Sequence, residues 1–207
     1  MTYLVRISSI ITLLMLCACS STQLPTRFYT LSGPVAPAAQ QPDAAPLLIE
    51  VLPIRVPERL ARPQIVINSA KDAAQVRILE QERWASHFDQ ELHAAFTQAL
   101  TARLGAIDVA HGMRSAGART YRIAIELVQF DAVPDEQLST RFSWSLKASD
   151  SAETMLCQTA LAEPVSGGIA GMVQGMQRAV NEVTQAIASN ISARAAGQSG
   201  SCGQPAA

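Results

Sequence analysis

Cysteines carry the most specific chemistry in this 207-residue chain, which has four of them. Cys19 ends the run Leu16-Cys17-Ala18-Cys19. Before it lies an apolar stretch of about ten residues, Ile7 to Leu16, preceded by Arg6. A short positive region, an apolar run too short to span a bilayer and a small residue before the cysteine form a secretory signal. Leu at −3, Ala at −1 and Cys at the cleavage point follow the pattern of a bacterial lipobox. The thiolate of such a cysteine takes a diacylglycerol, and cleavage frees an amine that is acylated in turn. Each buried methylene contributes about 0.8 kcal/mol, so several chains on one residue anchor a protein where one chain does not. Residues 1–18 are therefore expected to be a signal peptide and Cys19 the lipid attachment point, for palmitate among other chains. An ordinary cleaved signal is the alternative. Ser20, not Asp, follows the cysteine, which in Gram-negative lipoproteins implies the outer membrane, with the body facing the periplasm.

Cys157 and Cys202 remain after cleavage. An oxidising compartment would let them pair, closing a long loop, and two independent thiols are equally compatible with the sequence. Other chemistry is sparse. His87, His93 and His111 have no ligand spacing for a metal. There is no Gly-x-Ser-x-Gly elbow and no phosphate loop. Glu80 and Glu82 share one face of a strand, and Glu50, Asp131 and Glu163 are scattered, so a paired-carboxylate site has no sequence support. No catalytic residue, metal or cofactor is expected. Formal charge is −1, and it becomes −2 once Arg6 leaves with residues 1–18. With no basic run, nucleic acid is not an expected partner.

The elements that must carry these residues read as one α+β domain. Leu48 to Leu52, Gln64 to Asn68 and Val76 to Glu82 have strand composition, the last two joined by a hairpin across Ser69–Asp72. Ser86 has the chemistry of a helix N-cap, with Asp89 and Glu91 in the first turn. Phe88, Leu92, Ala95, Phe96, Ala99 and Leu100 recur at helical spacing, and Arg103 and Gly105 are stop signals. Ile107 to Ala110 suggests a short strand. Tyr121, Ile123, Ile125 and Leu127 alternate with polar or small residues, as do Phe142, Trp144, Leu146 and Ala148. Period two in both runs means a sheet with one buried and one wet face. A strand near Thr154–Ala162 completes an antiparallel meander. Ile169, Met172, Val173, Met176, Val180, Val183, Ile187 and Ile191 line one side of a last helix. That stripe is either core or, given its methionines, a groove for a partner or lipid tails. Gly171 and Gly175 interrupt it, each costing roughly 1 kcal/mol of propensity and allowing close backbone approach.

The expected fold is thus a largely antiparallel sheet with a C-terminal meander, covered by two main amphipathic helices. The domain is expected to span 47–196. Residues 19–46 would hold the lipid anchor and a Pro/Ala-rich linker, densest over 32–46, and 197–207 a disordered tail. At about 3.1 Å per residue such a linker would lift the body tens of ångströms off the lipid. Alternatively it lies across the domain, docked by Phe28-Tyr29-Thr30-Leu31.

These residues resemble the PqiC-like lipoproteins, auxiliary components of ABC-type lipid transport. Phe28-Tyr29-Thr30-Leu31 matches the family's aromatic-Tyr-x-Leu segment. Val51-Leu52-Pro53-Ile54-Arg55-Val56-Pro57-Glu58-Arg59-Leu60 and Arg62-Pro63-Gln64-Ile65-Val66 match its strand-then-proline pattern. Trp84-Ala85 precedes the first long helix, and Tyr121 to Phe130, Trp144 and the last helix follow in order. His87 and Phe88 stand where the family often has proline and leucine. The resemblance implies a periplasm-facing, non-enzymatic module that works with an MCE-domain protein and inner-membrane transport components to move phospholipid. It leaves self-association open, and Arg62 and Gln64 are candidates for contact. Trp84, Pro53, Pro57 and Trp144 have a sufficient reason in folding alone. A lipid carrier and an envelope hydrolase are the other functional classes compatible with the residues.

Overall fold

The two period-two runs become the two longest strands, and the rest of the chain is arranged around their ladder. The computed structural model describes residues 24–33, 47–70, 72, 74–110, 112 and 118–202. The signal, Cys19, residues 34–46, His111 and the last five positions lie outside the described residues. In chain order the strands are β1 (Arg27–Tyr29), β2 (Leu48–Val51), β3 (Gln64–Asn68), β4 (Val76–Trp84), β5 (Ile107–Asp108), β6 (Thr120–Val133), β7 (Gln137–Ala148) and β8 (Thr154–Pro164). Helix α1 (Phe88–Leu104) lies between β4 and β5, and α2 (Gly168–Ala195) follows β8. A short 3-10 turn covers Glu58–Leu60.

Five strands form a sheet in the order β5-β2-β6-β7-β8, and three form a second in the order β1-β4-β3. The meander β6-β7-β8 is antiparallel, with Ile125 opposite Trp144 and Trp144 opposite Cys157. The α+β class and meander hold as expected. The short ladders differ, because β2 runs parallel to both β5 and β6, and β1 runs parallel to β4. The β3–β4 pairing is antiparallel, with an irregularity between Gln64 and Ile65.

Both helices lie on one face of the five-stranded sheet, side by side, α2 over β6–β8 and α1 beside β2 and β5. The expected helical stripes and the inward residues of β6 and β7 are buried together there. Phe96 of α1 meets Phe142 edge-on at 5.6 Å between ring centres. Trp84 stacks on Phe88 at 5.0 Å, and Phe88 meets Phe130 at 5.6 Å, joining the second sheet to the first.

The start of α1 differs from expectation. His87, not Ser86, occupies the N-cap position, and no side chain caps the helix there. Ser86 donates instead to Glu91 Oε1 at 2.8 Å. The stop is as expected, with Gly105 left-handed at φ 59°. At the start of α2, Asp135 in the β6–β7 turn accepts the backbone N–H groups of Gly167 and Gly168 at 2.9 and 2.8 Å. Gly171 is needed for close approach, because a methyl there would overlap the Ser166 carbonyl.

Both ends of the expected domain move. Residues 27–31 belong to the body: β1 pairs with β4, and Leu31 is buried. The domain therefore begins well before Leu47, because apolar Leu31 and the short β1 find partners on β4 and α1. Residues 197–202 also stay with the body, since Cys202 is joined to Cys157 and Gly200 packs against Asn190 and Met155.

Candidate functional site

The residues with chemical potential are mostly held apart by partners of their own. His93 Nε2 is 3.2 Å from the Val51 carbonyl oxygen. Glu82 accepts the Tyr29 hydroxyl at 2.7 Å and faces Arg27, whereas Glu80 faces Arg83. Glu50 pairs with Arg122 at 2.9 Å, Glu163 with Arg178 at 2.7 Å, and Asp131 accepts from Gln129 at 2.6 Å. These carboxylates sit in separate ion pairs and hydrogen bonds rather than converging. Among the described residues no group of three His, Cys, Asp or Glu could hold a metal ion. Met172 and Met176 are fully buried, so the apolar stripe of α2 is core and not an open groove. Burial pushes the Tyr29 phenol above its ordinary value, helped by Glu82, and burial pushes Tyr121 up likewise. Arg62 and Gln64, the two candidates for contact, lie beside β4. The carbonyl of Arg62 accepts the Phe88 N–H at 3.4 Å, and Gln64 pairs with Arg83.

Glu91 does what sequence reasoning did not assign to it. Its carboxylate is buried and faces the segment leading out of β1. Oε2 accepts the Thr30 hydroxyl at 2.9 Å and the Leu31 N–H at 3.1 Å. Together with the Ser86 hydroxyl, three donors therefore converge on one carboxylate in the first turn of α1, where the helix dipole favours negative charge. Gln177 of α2 adds a bond to the Thr30 carbonyl at 3.2 Å, and Gln98 of α1 one to the Gly33 carbonyl at 3.3 Å. The only trace in the sequence was an acid in a first turn, which read as a dipole partner alone. The chain after the expected anchor is thus clamped to both helices.

A surface with shape lies on the helix-free face of the five-stranded sheet. It carries a trough of about 880 Å³. Paired residues of a ladder project to the same side, so the register supplies the floor. Ala124 stands beside Ser145, and Ser145 beside Leu156. In the next row Arg55 bridges to Glu126, which stands beside Ser143, with Gln158 beyond. Arg141 and Ala160 follow. Alanines and serines make a low floor between longer side chains, which is why the face is concave there. The Arg55–Glu126 pair at 2.9 Å forms one wall. The Cys157–Cys202 disulfide, Cα–Cα 5.4 Å, brings the C-terminal segment to the other. Leu156 projects from the edge strand and is among the most exposed large apolar residues. The result is an open trough of short side chains flanked by an arginine and an exposed leucine.

A sequence model of the ABC-type transport auxiliary lipoprotein component family matches residues 29–188. The chain belongs to this family. The match starts inside β1 and ends in α2, so the clamped segment lies within the family's domain. Two solved structures have the same fold. One, described as an uncharacterized protein, is 19% identical with a TM-score of 0.63, covering 81% of this chain and 99% of its own. The other, from Xanthomonas campestris and assigned to the family DUF330, is 15% identical with a TM-score of 0.60, covering 83% and 98%. At these identities the likeness concerns the fold alone. No curated protein sequence matches this one. The chain is therefore an auxiliary lipoprotein component of an ABC-type transport system.

Proposed function

We propose that this lipoprotein is a non-catalytic subunit of an MCE-type lipid transport system, acylated on Cys19 and holding the assembly at the outer membrane. Family membership carries the reading. Its expected partners are an MCE-domain protein and inner-membrane transport components, met through the trough on the helix-free sheet face. The arrangement supports this in two ways. The helices are committed to the core, which leaves the opposite sheet face as the broad surface with shape among the described residues. The candidate acids sit in separate pairs rather than in one cleft, which favours docking over hydrolysis. The lipid-carrier reading relied on an open stripe along α2, and that stripe is packed.

The test has two arms. Labelled palmitate should enter the wild-type protein and not Cys19→Ala. A photo-crosslinking residue at Arg141 or Leu156 in cells should yield an adduct identified by mass as an MCE-domain protein. The same probe at Glu182, an exposed position on α2 across the body, should not. Equal adducts at all three positions would remove the docking face. Absence of label would remove the anchor.

A further inference from the structure

We infer that the outer face of the three-stranded sheet rests on the bilayer that holds the lipidated cysteine, using Leu24, Phe28, Val76 and Ile78 as its contact. The inference rests on acylation of Cys19, proposed above. These four side chains are 75%, 66%, 44% and 43% exposed. Large apolar residues scattered singly on a surface need no explanation, but a cluster does.

They lie on neighbouring strands of one sheet or on the run leading into it. Gln64 pairs with Arg83, Val66 with Ile78 and Asn68 with Val76, while Arg83 pairs with Phe28 of β1. The ladder is irregular between Gln64 and Ile65, so exposure places these residues: Phe28, Ile78 and Val76 all lie open on β1 and β4, whereas Val66 is buried. Leu24 lies on the run leading into β1, which is held to β4 by the Thr26 hydroxyl donating to Gln81 at 2.7 Å. The sheet joins the core through Ile65, Val66, Ile67 and Trp84, all buried. Arg83 stands in the patch, and Arg27 lies at its margin, paired with Glu82. Apolar side chains with arginines among them suit the boundary between headgroups and acyl chains.

Chain length selects the bilayer over other apolar partners. Five peptide steps separate Cys19 from Leu24, so they span at most roughly 18 Å fully extended. Because β1 is paired with β4 and residues 30–31 are clamped by Glu91, the long Pro/Ala segment lies after the clamp and adds nothing to this reach. A body tied this closely to its acyl chains must turn the β1–β4 side to the lipid.

Depth-sensitive fluorescence on the full, acylated chain tests the inference. The protein is reconstituted into phosphatidylethanolamine–phosphatidylglycerol vesicles with brominated acyl chains. Phe28→Trp reports on the patch and Leu156→Trp on the far sheet. Trp84 and Trp144 are both buried, and their background is taken from the unaltered chain. Ile78→Trp repeats the measurement from β4 in case Phe28→Trp does not fold. Vesicle flotation with a blue-shifted Trp at 28 or 78, quenched by about half or more, and an unquenched Trp at 156 is the expected result. Flotation with no quenching at 28 and 78, or with equal quenching at 156, overturns the contact while leaving the anchor standing. Failure to float overturns the anchor, and the contact falls with it.

Discussion

Replacing Glu91 with Ala should free the segment between β1 and residue 34 more than it weakens the rest of the body. The carboxylate is buried and its three donors are neutral, so its removal relieves a desolvation cost. Against this stand three donors within 2.8 to 3.1 Å and the positive end of α1. Hydrogen bonds to a charged group contribute about 1.5–3 kcal/mol each, and leaving the buried Leu31 N–H unpaired costs about 1–3 kcal/mol. These contributions share one acceptor and do not add, so the net loss is set at about 3 kcal/mol. For a body of this size that lowers Tm by roughly 6–12 °C. If the loss falls mainly on local opening, trypsin cleavage after Arg27 should rise roughly 100-fold, because cleavage follows the population of the open form. Glu91→Gln keeps the shape and one acceptor oxygen, so its effect should be about 1 kcal/mol. The assay is thermal unfolding alongside limited trypsin digestion, with the fragment ending at Arg27 followed by mass. If Glu91→Ala leaves both Tm and cleavage unchanged, the clamp argument fails. A lower Tm with uniform cleavage at all sites would mean that Glu91 supports the whole body, not this segment.

Other substitutions and conditions probe separate parts of the fold. The Tyr121 hydroxyl is buried and has no hydrogen-bond partner among the described residues, so Tyr121→Phe should be neutral or stabilising by about 1 kcal/mol in urea unfolding. Tyr29 and Tyr121 both hold their protons more tightly when folded. Stability from them is therefore intact below the free phenol value near pH 10 and is lost as pH rises through the folded values, a loss that Tyr121→Phe should reduce in an alkaline titration. Gly171→Ala forces a methyl into the Ser166 carbonyl and should cost about 2–3 kcal/mol, read by the same unfolding curve; an unchanged midpoint would show that the turn relaxes freely. Intact mass measured without reductant should be 2 Da below the free-thiol value, and Cys202→Ser should cost about 4 kcal/mol on the chain-entropy estimate for a loop of this length.

Much of this protein was legible residue by residue. The alternation at Tyr121–Leu127 and Phe142–Ala148, the stripes of both helices and the stop at Gly105 arise from periods of two and 3.6 residues and from backbone preference, which act over a few neighbours. The Leu-x-Ala-Cys pattern is likewise local. The sequence did not reveal where the domain begins, since a three-residue strand such as β1 has no pattern of its own and exists because β4 offers it a parallel edge. Nor did it reveal the role of Glu91, because two of the three donors it gathers lie 60 and 61 residues away at Leu31 and Thr30. Pairing of Cys157 with Cys202, across 45 residues, needed α2 to return the chain to β8. The trough and the apolar patch on the second sheet were equally invisible, because each is set by register between strands. Local chemistry thus determined the elements by itself, whereas tertiary structure alone decided which distant groups meet, since contact between them depends on how whole sheets and helices pack.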